Sequence, residues 1–447
     1  MANEKYGLIG KTLVHSYSKE IHEALGRYQY QLFSLAEDEM PDFINARDFR
    51  GLNVTIPYKK DVIPLCDEVT DLARGIGAVN TLFWKNASGT GSSESISQED
   101  RILVGHNTDY EGFLYAASRA GIDFEGKGVL ILGTGGTSLM ARRAAADQNA
   151  AKIYIASRHP ETDPPSGSGS QDAGILSTVS YDQLPEIAAS IDVIVNTTPV
   201  GTFPNNMQQV IRLKDFPGCQ AVIDVIYNPF KTALLLEAEK LGLKYTNGLP
   251  MLVAQATAAA GYFLGTPGAF QKENQRIIKS MQQQMGNIVL IGMPGTGKSI
   301  IGKLLSELTG KTLQDTDAKI EEEAEMTIPE IFEKEGEAGF RDRESAICKK
   351  LGKERNLIIA TGGGAILRPE NVAALRQNGT LVHITRSIDK LPTRGRPLSK
   401  NIEALKKMEA QRMPLYKSAA DITFRNNYTC SRKKLRQRVN TYILEKL

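Results

Sequence analysis

The sequence lacks the features that mark several other classes of protein. No run of about 18 apolar residues occurs in its 447 positions, so we expect no transmembrane span. Nor is there a basic start followed by an apolar core, and we expect no signal peptide. With four cysteines, no C-x-x-C pair and five histidines, disulfides, structural zinc and transition-metal chemistry are all disfavoured.

Charge is also nearly balanced, at +3 from 54 basic and 51 acidic residues. This balance excludes a surface that strongly seeks polyanions as a whole, although not a local basic patch. The scattered cysteines are typical of free thiols in a reducing compartment, so we expect a cytoplasmic chain. We expect it to bind neither nucleic acid nor a membrane. A homodimer is left open.

Two glycine-rich turns divide the chain, one near residue 133 and one near residue 292. Each follows an apolar run and precedes a helical pattern, which suggests two nucleotide sites. The unbroken apolar runs are typical of parallel sheets that are covered on both faces. We predict strands over 51–56, 78–84, 129–132, 152–156, 192–196, 221–225, 287–291 and 357–360. Helices are predicted over 139–148, 251–284 and 300–308, and polar loops over 86–100 and 160–174.

The length corresponds to roughly three domains, and we predict an α/β fold throughout. Residues 1–110, completed by helices in 250–284, form a substrate-binding and catalytic α/β domain. Residues 111–249 form a Rossmann-like dinucleotide domain. Residues 285–447 form a P-loop α/β domain with a parallel sheet.

The second glycine-rich turn, at 292–299, fits the P-loop pattern G-x-x-x-x-G-K-S. Its glycines let successive backbone N–H groups surround a phosphate at a helix N-terminus. Lys298 can reach the β and γ phosphates, and the Ser299 hydroxyl can ligate Mg²⁺. Asp315 and Asp317 end a strand-like segment, where positions i and i+2 point to the same side. One carboxylate could organise magnesium and the other could take a proton, unless both belong to a solvated acidic turn.

Four arginines and a glycine triplet complete this half. Three glycines, 362–364, follow an apolar strand and allow a ligand to approach the backbone closely. Arg341, Arg394, Arg396 and Arg412 could each be surface charge, but together they look like a recognition set for a carboxylate and a polyphosphate. Arg412 lies at what we interpret as a helix interruption, because Pro414 follows it.

This combination of motifs closely resembles shikimate kinase over about residues 287–427. The resemblance implies that Asp317 is the base at the 3-hydroxyl and that Asp315 and Ser299 hold Mg²⁺. It implies that Arg341 and Arg412 bind the substrate carboxylate. The pocket for shikimate would be lined by Gly362, Gly363 and Gly364. ATP would be bound by Gly295, Thr296, Gly297, Lys298, Ser299, Ile300 and the lid arginine Arg396. The lid segment is slightly short, so Arg394 could share the role of Arg396.

The first glycine-rich turn runs Gly133-Thr134-Gly135-Gly136 and joins a strand to a helix. The next strand ends in Ser157-Arg158, where an NAD site would carry an acidic residue for the ribose 2′-hydroxyl. An arginine suits a 2′-phosphate, which favours NADP. The alternative is a surface arginine beside an NAD site.

The N-terminal strings resemble shikimate dehydrogenase over about residues 5–275. They are S-x-S at 16–18, N-V-T-x-P-x-K at 53–59, A-V-N-T at 78–81, N-T-D at 107–109, G-x-G-G at 133–136, N-T-T-P-x-G at 196–201 and D-V-I-Y-N-P at 224–229. Alone, Lys59 would be a surface lysine and Asp109 a helix cap; the resemblance implies that they are the catalytic pair. It implies substrate binding by Ser16, Ser18, Thr55, Asn80, Tyr227 and Gln255. NADP(H) would be bound by Gly133, Thr134, Gly135, Gly136, Ser157, Arg158, Thr197 and Gly248.

Both halves together predict two consecutive reactions: NADPH-dependent reduction of 3-dehydroshikimate, then phosphorylation of shikimate by ATP and Mg²⁺. One alternative is a quinate-tolerant dehydrogenase whose P-loop domain senses nucleotide without transferring phosphate. A nucleic-acid-binding P-loop protein is disfavoured, because its only support is the basic stretch 432–438, which we interpret as the solvated face of a final helix.

Overall fold

The computed structural model describes residues 5–13, 16–86, 101–162, 174–391, 402–427 and 430–447. The chain divides into two compact units, Met1–Thr202 with Gln208–Lys279, and Phe203–Met207 with Ser280–Leu447. No helix in the described ranges is long and apolar enough to cross a membrane. The fold is α/β with mostly parallel sheets, as predicted. The three domain boundaries proposed from the sequence stay a prediction.

The first sheet of the first unit is mixed and has the strand order β2-β1-β3-β5-β6-β4. Its strands are β1 Tyr6–Gly10, β2 Tyr30–Ser34, β3 Gly51–Val54, β4 Glu68–Val69, β5 Thr81–Asn86 and β6 Arg101–His106. Its helices are α1 Ser18–Glu23, α2 Glu39–Asn45, α3 Asp71–Ile76 and α4 Thr108–Arg119. Strands β5 and β6 pair antiparallel from Thr81↔His106 to Asn86↔Arg101. The predicted loop at 86–100 connects these strands, and its residues 87–100 lie outside the described ranges.

Two predicted strands of this sheet have wrong ends. Strand β3 stops at Val54, because a turn starts at Thr55, whose carbonyl accepts from the Tyr58 N–H at 3.0 Å. Strand β5 starts at Thr81 and not at Ala78, because the N–H groups of Ala78 and Val79 bond to the end of α3 and to the Lys59 carbonyl. These two irregular segments bring Thr55, Lys59 and Asn80 to the carboxyl end of β3.

The second sheet is entirely parallel, in the order β12-β11-β10-β7-β8-β9, with an apolar core on each face. Its strands are β7 Gly128–Leu132, β8 Lys152–Ser157, β9 Leu176–Ser180, β10 Val193–Asn196, β11 Ala221–Asp224 and β12 Lys244–Thr246. The helices that come next along the chain are α5 Gly136–Asp147, α6 Leu184–Ile187, α7 Ala233–Lys240, α8 Gly248–Phe263 and α9 Asn274–Met285. Of the predicted loop 160–174, residues 163–173 lie outside the described ranges.

Helix α8 belongs by packing to the first sheet. It contacts α1, α4, β3 and β5. Gly51 in β3 shows how close this packing is, because a Cβ there would lie 2.3 Å from the Phe263 ring. The packing brings Gln255, in the middle of α8, near the carboxyl end of β3.

The second unit contains one parallel sheet of order β14-β15-β13-β16-β17. Its strands are β13 Asn287–Ile291, β14 Thr312–Asp315, β15 Leu357–Ala360, β16 Gly379–Thr385 and β17 Ile422–Arg425. Its helices are α10 Lys298–Thr309, α11 Thr316–Ala324, α12 Ile328–Lys353, α13 Pro369–Arg376, α14 Ile402–Ala419 and α15 Arg432–Tyr442.

Two local predictions for this unit are wrong. Asp317 does not lie on a strand: β14 ends at Asp315, which becomes the N-cap of α11 and accepts from the Asp317 N–H at 3.1 Å. The spacing argument for two strand carboxylates therefore fails. Arg412 does not lie at a helix interruption, because α14 continues through Pro414. Both Arg412 and Tyr416 bond to the Gly363 carbonyl, and these contacts hold the helix on either side of the proline.

Candidate active sites

The first site is a cavity of about 390 Å³ at the carboxyl ends of β1 and β3. Side chains from both sheets of the first unit line it, including Thr137 of α5 and Tyr227 after β11. All eight residues predicted to bind the dehydrogenase substrate line this cavity: Ser16, Ser18, Thr55, Lys59, Asn80, Asp109, Tyr227 and Gln255. Sequence positions up to 239 apart thus meet in one place.

Lys59 and Asp109 form an ion pair in this cavity, with Nζ and Oδ2 2.5 Å apart. Their side chains are 24% and 17% exposed, so the pair is reachable from the cavity but largely shielded from bulk water. Lys59 is placed by the turn after β3, and Asp109 by the first turn of α4. The N-cap of α4 is Asn107, whose side chain donates to the Ala78 carbonyl at 2.9 Å. A fixed ammonium of this kind can donate to an oxygen on which negative charge develops.

Amide and hydroxyl groups form one wall of the cavity. The Asn80 side-chain oxygen accepts from the Thr108 N–H at 2.7 Å. The polar group that remains on the Asn80 side chain is its amide nitrogen. Asn53 donates to the Asn80 carbonyl at 3.2 Å and accepts from the Tyr30 hydroxyl at 2.8 Å. The Ser16 hydroxyl accepts from the Ser18 N–H at 3.3 Å. Asn53 and Tyr17 line the cavity but were not predicted as site residues, although both lie inside the quoted motifs.

The predicted dinucleotide residues lie mainly at the carboxyl ends of β7, β8 and β10. Gly133 has φ of +102°, and a Cβ there would lie 3.1–3.2 Å from Thr198 and Thr197. A Cβ on Gly135 or Gly136 would meet nothing within 4 Å, so this turn leaves open space at the start of α5. Thr134 lies between Gly133 and Gly135 in the same turn. The open turn therefore fits an extended phosphate-bearing group.

The end of β8 carries Ser157 and Arg158, the residues on which the prediction of NADP depends. Ser157 is buried and accepts from the His159 N–H at 2.9 Å, whereas Arg158 is exposed. Thr197 donates to the Leu132 carbonyl at 2.7 Å, which joins the ends of β10 and β7. Gly248 lies elsewhere, in the 390 Å³ cavity, and a Cβ there would lie 1.9 Å from the Val225 carbonyl oxygen.

The second site is a cavity of about 640 Å³ at the carboxyl end of the sheet in the second unit. Most of the predicted kinase residues line it: Gly295, Gly297, Lys298, Ser299, Ile300, Asp315, Asp317, Arg341, Gly362, Gly363, Gly364 and Arg412. Thr296 does not line the cavity; its side chain is buried and donates to the Met293 carbonyl at 2.9 Å. Arg396 and its neighbour Arg394 lie outside the described residues.

The P-loop has the backbone that its glycines predict, with positive φ at Gly292, Gly295 and Gly297. The Lys298 ammonium turns back over the loop and donates to the Gly292 carbonyl at 2.7 Å. The Ser299 hydroxyl lies 3.2 Å from Asp315 Oδ2. A hydroxyl and a carboxylate side by side are oxygen ligands of the kind that Mg²⁺ prefers, so these two residues fit a magnesium site.

Asp317 and Glu344 converge on Gly362. A Cβ at Gly362 would lie 2.5 Å from Asp317 Oδ1 and 2.8 Å from Glu344 Oε1, so a side chain at this position would displace both carboxylates. Burial, followed by the neighbouring charges of Asp315 and Glu344, raises the pKa of Asp317 to about 6. Glu344 was not predicted from the sequence, because a glutamate inside a long polar helix carries no local signal.

Arg341 lies beside this pair and donates from Nη1 to Glu344 at 2.7 Å. A Cβ at Gly364 would lie 2.0 Å from the same Nη1. The glycines at 362 and 364 therefore make room for side chains of the protein itself. The guanidinium is 9% exposed and lines the cavity.

One carbonyl oxygen, that of Gly363, anchors helix α14. Arg412 Nη1 donates to it at 2.8 Å, and the Tyr416 hydroxyl donates to it at 2.6 Å. The Tyr416 ring stacks on His383 of β16, with centroids 4.8 Å apart. Burial lowers the pKa of His383 to about 4, so the ring is a neutral packing surface at pH 7.

Comparison with known proteins gives matches to both halves. The family model for the shikimate dehydrogenase substrate-binding domain matches residues 8–82, and that for shikimate kinase matches residues 294–447. A shikimate dehydrogenase (NADP(+)) from Caldicellulosiruptor bescii is 35% identical over 268 residues, which are 57% of this chain and 88% of the relative. A shikimate kinase from Nitrosomonas europaea is 48% identical over 145 residues, which are 31% of this chain and 69% of the relative.

The first unit also resembles solved structures. One is a chorismate mutase/shikimate 5-dehydrogenase fusion protein from Clostridium acetobutylicum. It is 32% identical with a TM-score of 0.54, and the match covers 63% of this chain and 98% of that one.

Proposed function

Because this chain belongs to the shikimate dehydrogenase and shikimate kinase families, and is thus a bifunctional enzyme of the shikimate pathway, we propose specific roles for its residues in two consecutive reactions. The first is the NADPH-dependent reduction of 3-dehydroshikimate to shikimate. The second is the transfer of a phosphoryl group from ATP to the 3-hydroxyl of that shikimate. The alternative of a non-catalytic, nucleotide-sensing P-loop domain is not favoured, since the C-terminal half matches shikimate kinase itself.

In the first reaction, Lys59 acts on the oxygen of the substrate ketone. NADPH supplies the hydride, and negative charge then builds on that oxygen. The Lys59 ammonium offsets this charge and donates a proton, while Asp109, 2.5 Å away, keeps the ammonium in place. Ser16, Ser18, Asn80 and Gln255 supply hydrogen-bonding groups for the ring hydroxyls and carboxylate, together with Thr55 and Tyr227.

The dinucleotide is held at the open glycine turn before α5, and Arg158 binds the 2′-phosphate. Two features support NADP over NAD: an arginine follows β8, and Ser157 takes the place where an NAD site carries an acid. Thr197 and Gly133 keep the backbone of the turn close to β10.

In the second reaction, Asp317 takes the proton of the attacking hydroxyl. Its pKa of about 6 leaves it mostly ionised at pH 7 and makes it a better proton acceptor than an ordinary aspartate. Lys298 and Arg396 neutralise the transferred phosphoryl group, and Ser299 with Asp315 holds Mg²⁺. Arg341 and Arg412 bind the substrate carboxylate beside Gly362, Gly363 and Gly364.

The observation that carries this proposal is the meeting of Lys59 and Asp109 in a cavity lined by all eight predicted groups. The test is a single assay with 3-dehydroshikimate, NADPH, ATP and Mg²⁺, following NADPH absorbance and product mass. We expect NADPH loss and a product one phosphoryl group heavier than shikimate. Shikimate accumulating without that product would contradict the kinase half, and no NADPH loss would contradict the dehydrogenase half.

Two variants separate the halves and control for each other. Lys59→Met should abolish NADPH loss but still phosphorylate added shikimate. Asp317→Asn should consume NADPH normally and accumulate shikimate. Each loss should be about 100-fold or more, the usual contribution of a positioned acid or base.

Two further statements are proposals of the same kind: the chain is cytoplasmic, and it binds no nucleic acid or membrane. A homodimer is left open. In the basic stretch, Arg432 pairs with Glu307, and Arg438 donates to the Arg425 carbonyl at 2.8 Å, so part of its charge is used within the fold. Sedimentation of the full chain measures its oligomeric state, and sedimentation in the presence of DNA tests whether it binds nucleic acid.

A further inference from the structure

Arg386 directly follows β16, at the carboxyl end of the sheet, and lines the 640 Å³ cavity. The strand order β14-β15-β13-β16-β17 places β13 and its P-loop between two flanks. On one flank, Asp315 ends β14 and the glycines 362–364 follow β15. Arg386 follows β16 on the other flank, away from Asp315 and the glycine triplet.

Backbone contacts hold this end of β16 against the P-loop. A Cβ at Gly292 would lie 2.3 Å from the Ile384 carbonyl oxygen, so the loop and strand touch directly. The Thr385 carbonyl accepts from the Asn426 N–H at 2.7 Å, and the Asn426 side chain donates to the Thr296 carbonyl at 2.8 Å. Arg386 therefore extends from a segment whose position is fixed relative to the phosphate-binding loop.

The charge of Arg386 is not balanced within the described part of the chain. Its Nε atom is buried and has no hydrogen-bond partner there, and no described carboxylate forms an ion pair with it. In contrast, Arg341 in the same cavity is paired with Glu344. A guanidinium with free donors at the edge of a P-loop is suited to phosphate oxygens, which it can bind in a bidentate manner.

We infer that Arg386 binds the phosphate chain of ATP beyond the α phosphate, from the flank opposite the phosphoryl acceptor. This inference rests on the proposed kinase function. Among the described basic residues that line the cavity, Arg341 and Arg412 are proposed to bind the acceptor, and Lys298 is proposed to bind the nucleotide. Arg386 adds a second cation on the nucleotide side.

The test compares Arg386→Gln with Arg386→Lys in the full-length chain. Nucleotide affinity is measured by calorimetry with ADP and with a non-hydrolysable ATP analogue, and KM is measured for ATP and shikimate. Loss of a charge-assisted hydrogen bond should weaken both nucleotides about tenfold or more in Arg386→Gln. Arg386→Lys should recover part of the loss. The matched control is Lys390→Gln, which removes an exposed cation four residues further along the chain. Among the described residues, Lys390 bonds only to the Asn427 carbonyl, so nucleotide affinity should be unchanged in this variant.

An unchanged shikimate KM, with ADP and the ATP analogue weakened and AMP inhibition unaffected, supports the inference and shows that the fold is intact. Equal weakening of AMP would place Arg386 at the base, the ribose or the α phosphate and overturn it. So would a rise in the shikimate KM alone, or nucleotide affinity within twofold of the unsubstituted chain. If the unsubstituted chain binds ATP but transfers no phosphate, the proposed function fails, and the binding comparison still decides the role of Arg386.

Discussion

Substituting Gly364 by alanine tests whether the glycine triplet serves the guanidinium of Arg341. The backbone at Gly364 has φ of −101° and ψ of −9°, which alanine adopts without strain, so only the added methyl group matters. That methyl carbon would lie 2.0 Å from Nη1, 2.4 Å from Cζ and 2.5 Å from Nη2 of Arg341. To reach an ordinary contact of about 3.5 Å, the guanidinium must move by about 1.5 Å.

A displacement of this size breaks the 2.7 Å bond from Arg341 to Glu344 and moves the guanidinium away from the position in which we propose that it binds the substrate carboxylate. A hydrogen bond to a charged group is worth about 1.5–3 kcal/mol, so kcat/KM for shikimate should fall roughly 10- to 150-fold. The KM for ATP should change less than about twofold. The assay couples ADP release to NADH oxidation at saturating ATP, and dehydrogenase activity of the same preparation reports the active fraction of protein.

A double-mutant cycle with Arg341→Ala gives the decisive control. If the methyl group acts through Arg341, adding Gly364→Ala to Arg341→Ala should cost almost nothing. A Gly364→Ala enzyme with kcat/KM within threefold of the parent would refute the reasoning. So would costs that simply add in the double variant.

Three other outcomes are expected. Arg158→Gln should raise the KM for NADPH about tenfold or more and leave that for NADH unchanged; an equal effect on both would show that Arg158 does not bind the 2′-phosphate. The kinase kcat/KM should fall tenfold per pH unit below about pH 6, since Asp317 must be ionised to accept a proton; a limb near pH 4 would contradict this. Burial raises the pKa of Asp224 from 3.8 to about 6, so the folded state holds its proton more tightly than the unfolded state. Relative to Asp224→Asn, the parent should therefore lose about 2 kcal/mol of unfolding free energy as the pH rises from about 4 to 7, measured by urea denaturation; parallel pH profiles would contradict it.

The sequence predicts the strands best where a whole strand is apolar. The strands at 287–291 and 357–360 have the predicted bounds, because both are central in a parallel sheet and buried on both faces. The error at 51–56 occurs where a local turn ends the strand, and the error at 78–84 occurs where a backbone N–H bonds to a distant segment. No local pattern shows that the Val79 N–H will bond to Lys59, twenty residues earlier.

Site residues, like strands, could be predicted only where the sequence signal is local. Residues inside compact motifs, such as Lys59 and Lys298, could be picked out from the sequence. Glu344 and Arg386 could not, because each depends on which strand or helix neighbours the P-loop in space. The reason given for Asp317 was wrong, since it lies in the first turn of a helix, yet the residue still lines the cavity.

The shared anchor at the Gly363 carbonyl has a consequence for how this enzyme can vary. Arg412 and Tyr416 hold α14 from its C-terminal half, so the register of the helix does not depend on the residues that lead into it. Insertions or deletions in the preceding segment, 392–401, should then leave Arg412 in its place at the cavity. The length of that segment and the position of Arg412 can therefore vary independently of one another in evolution.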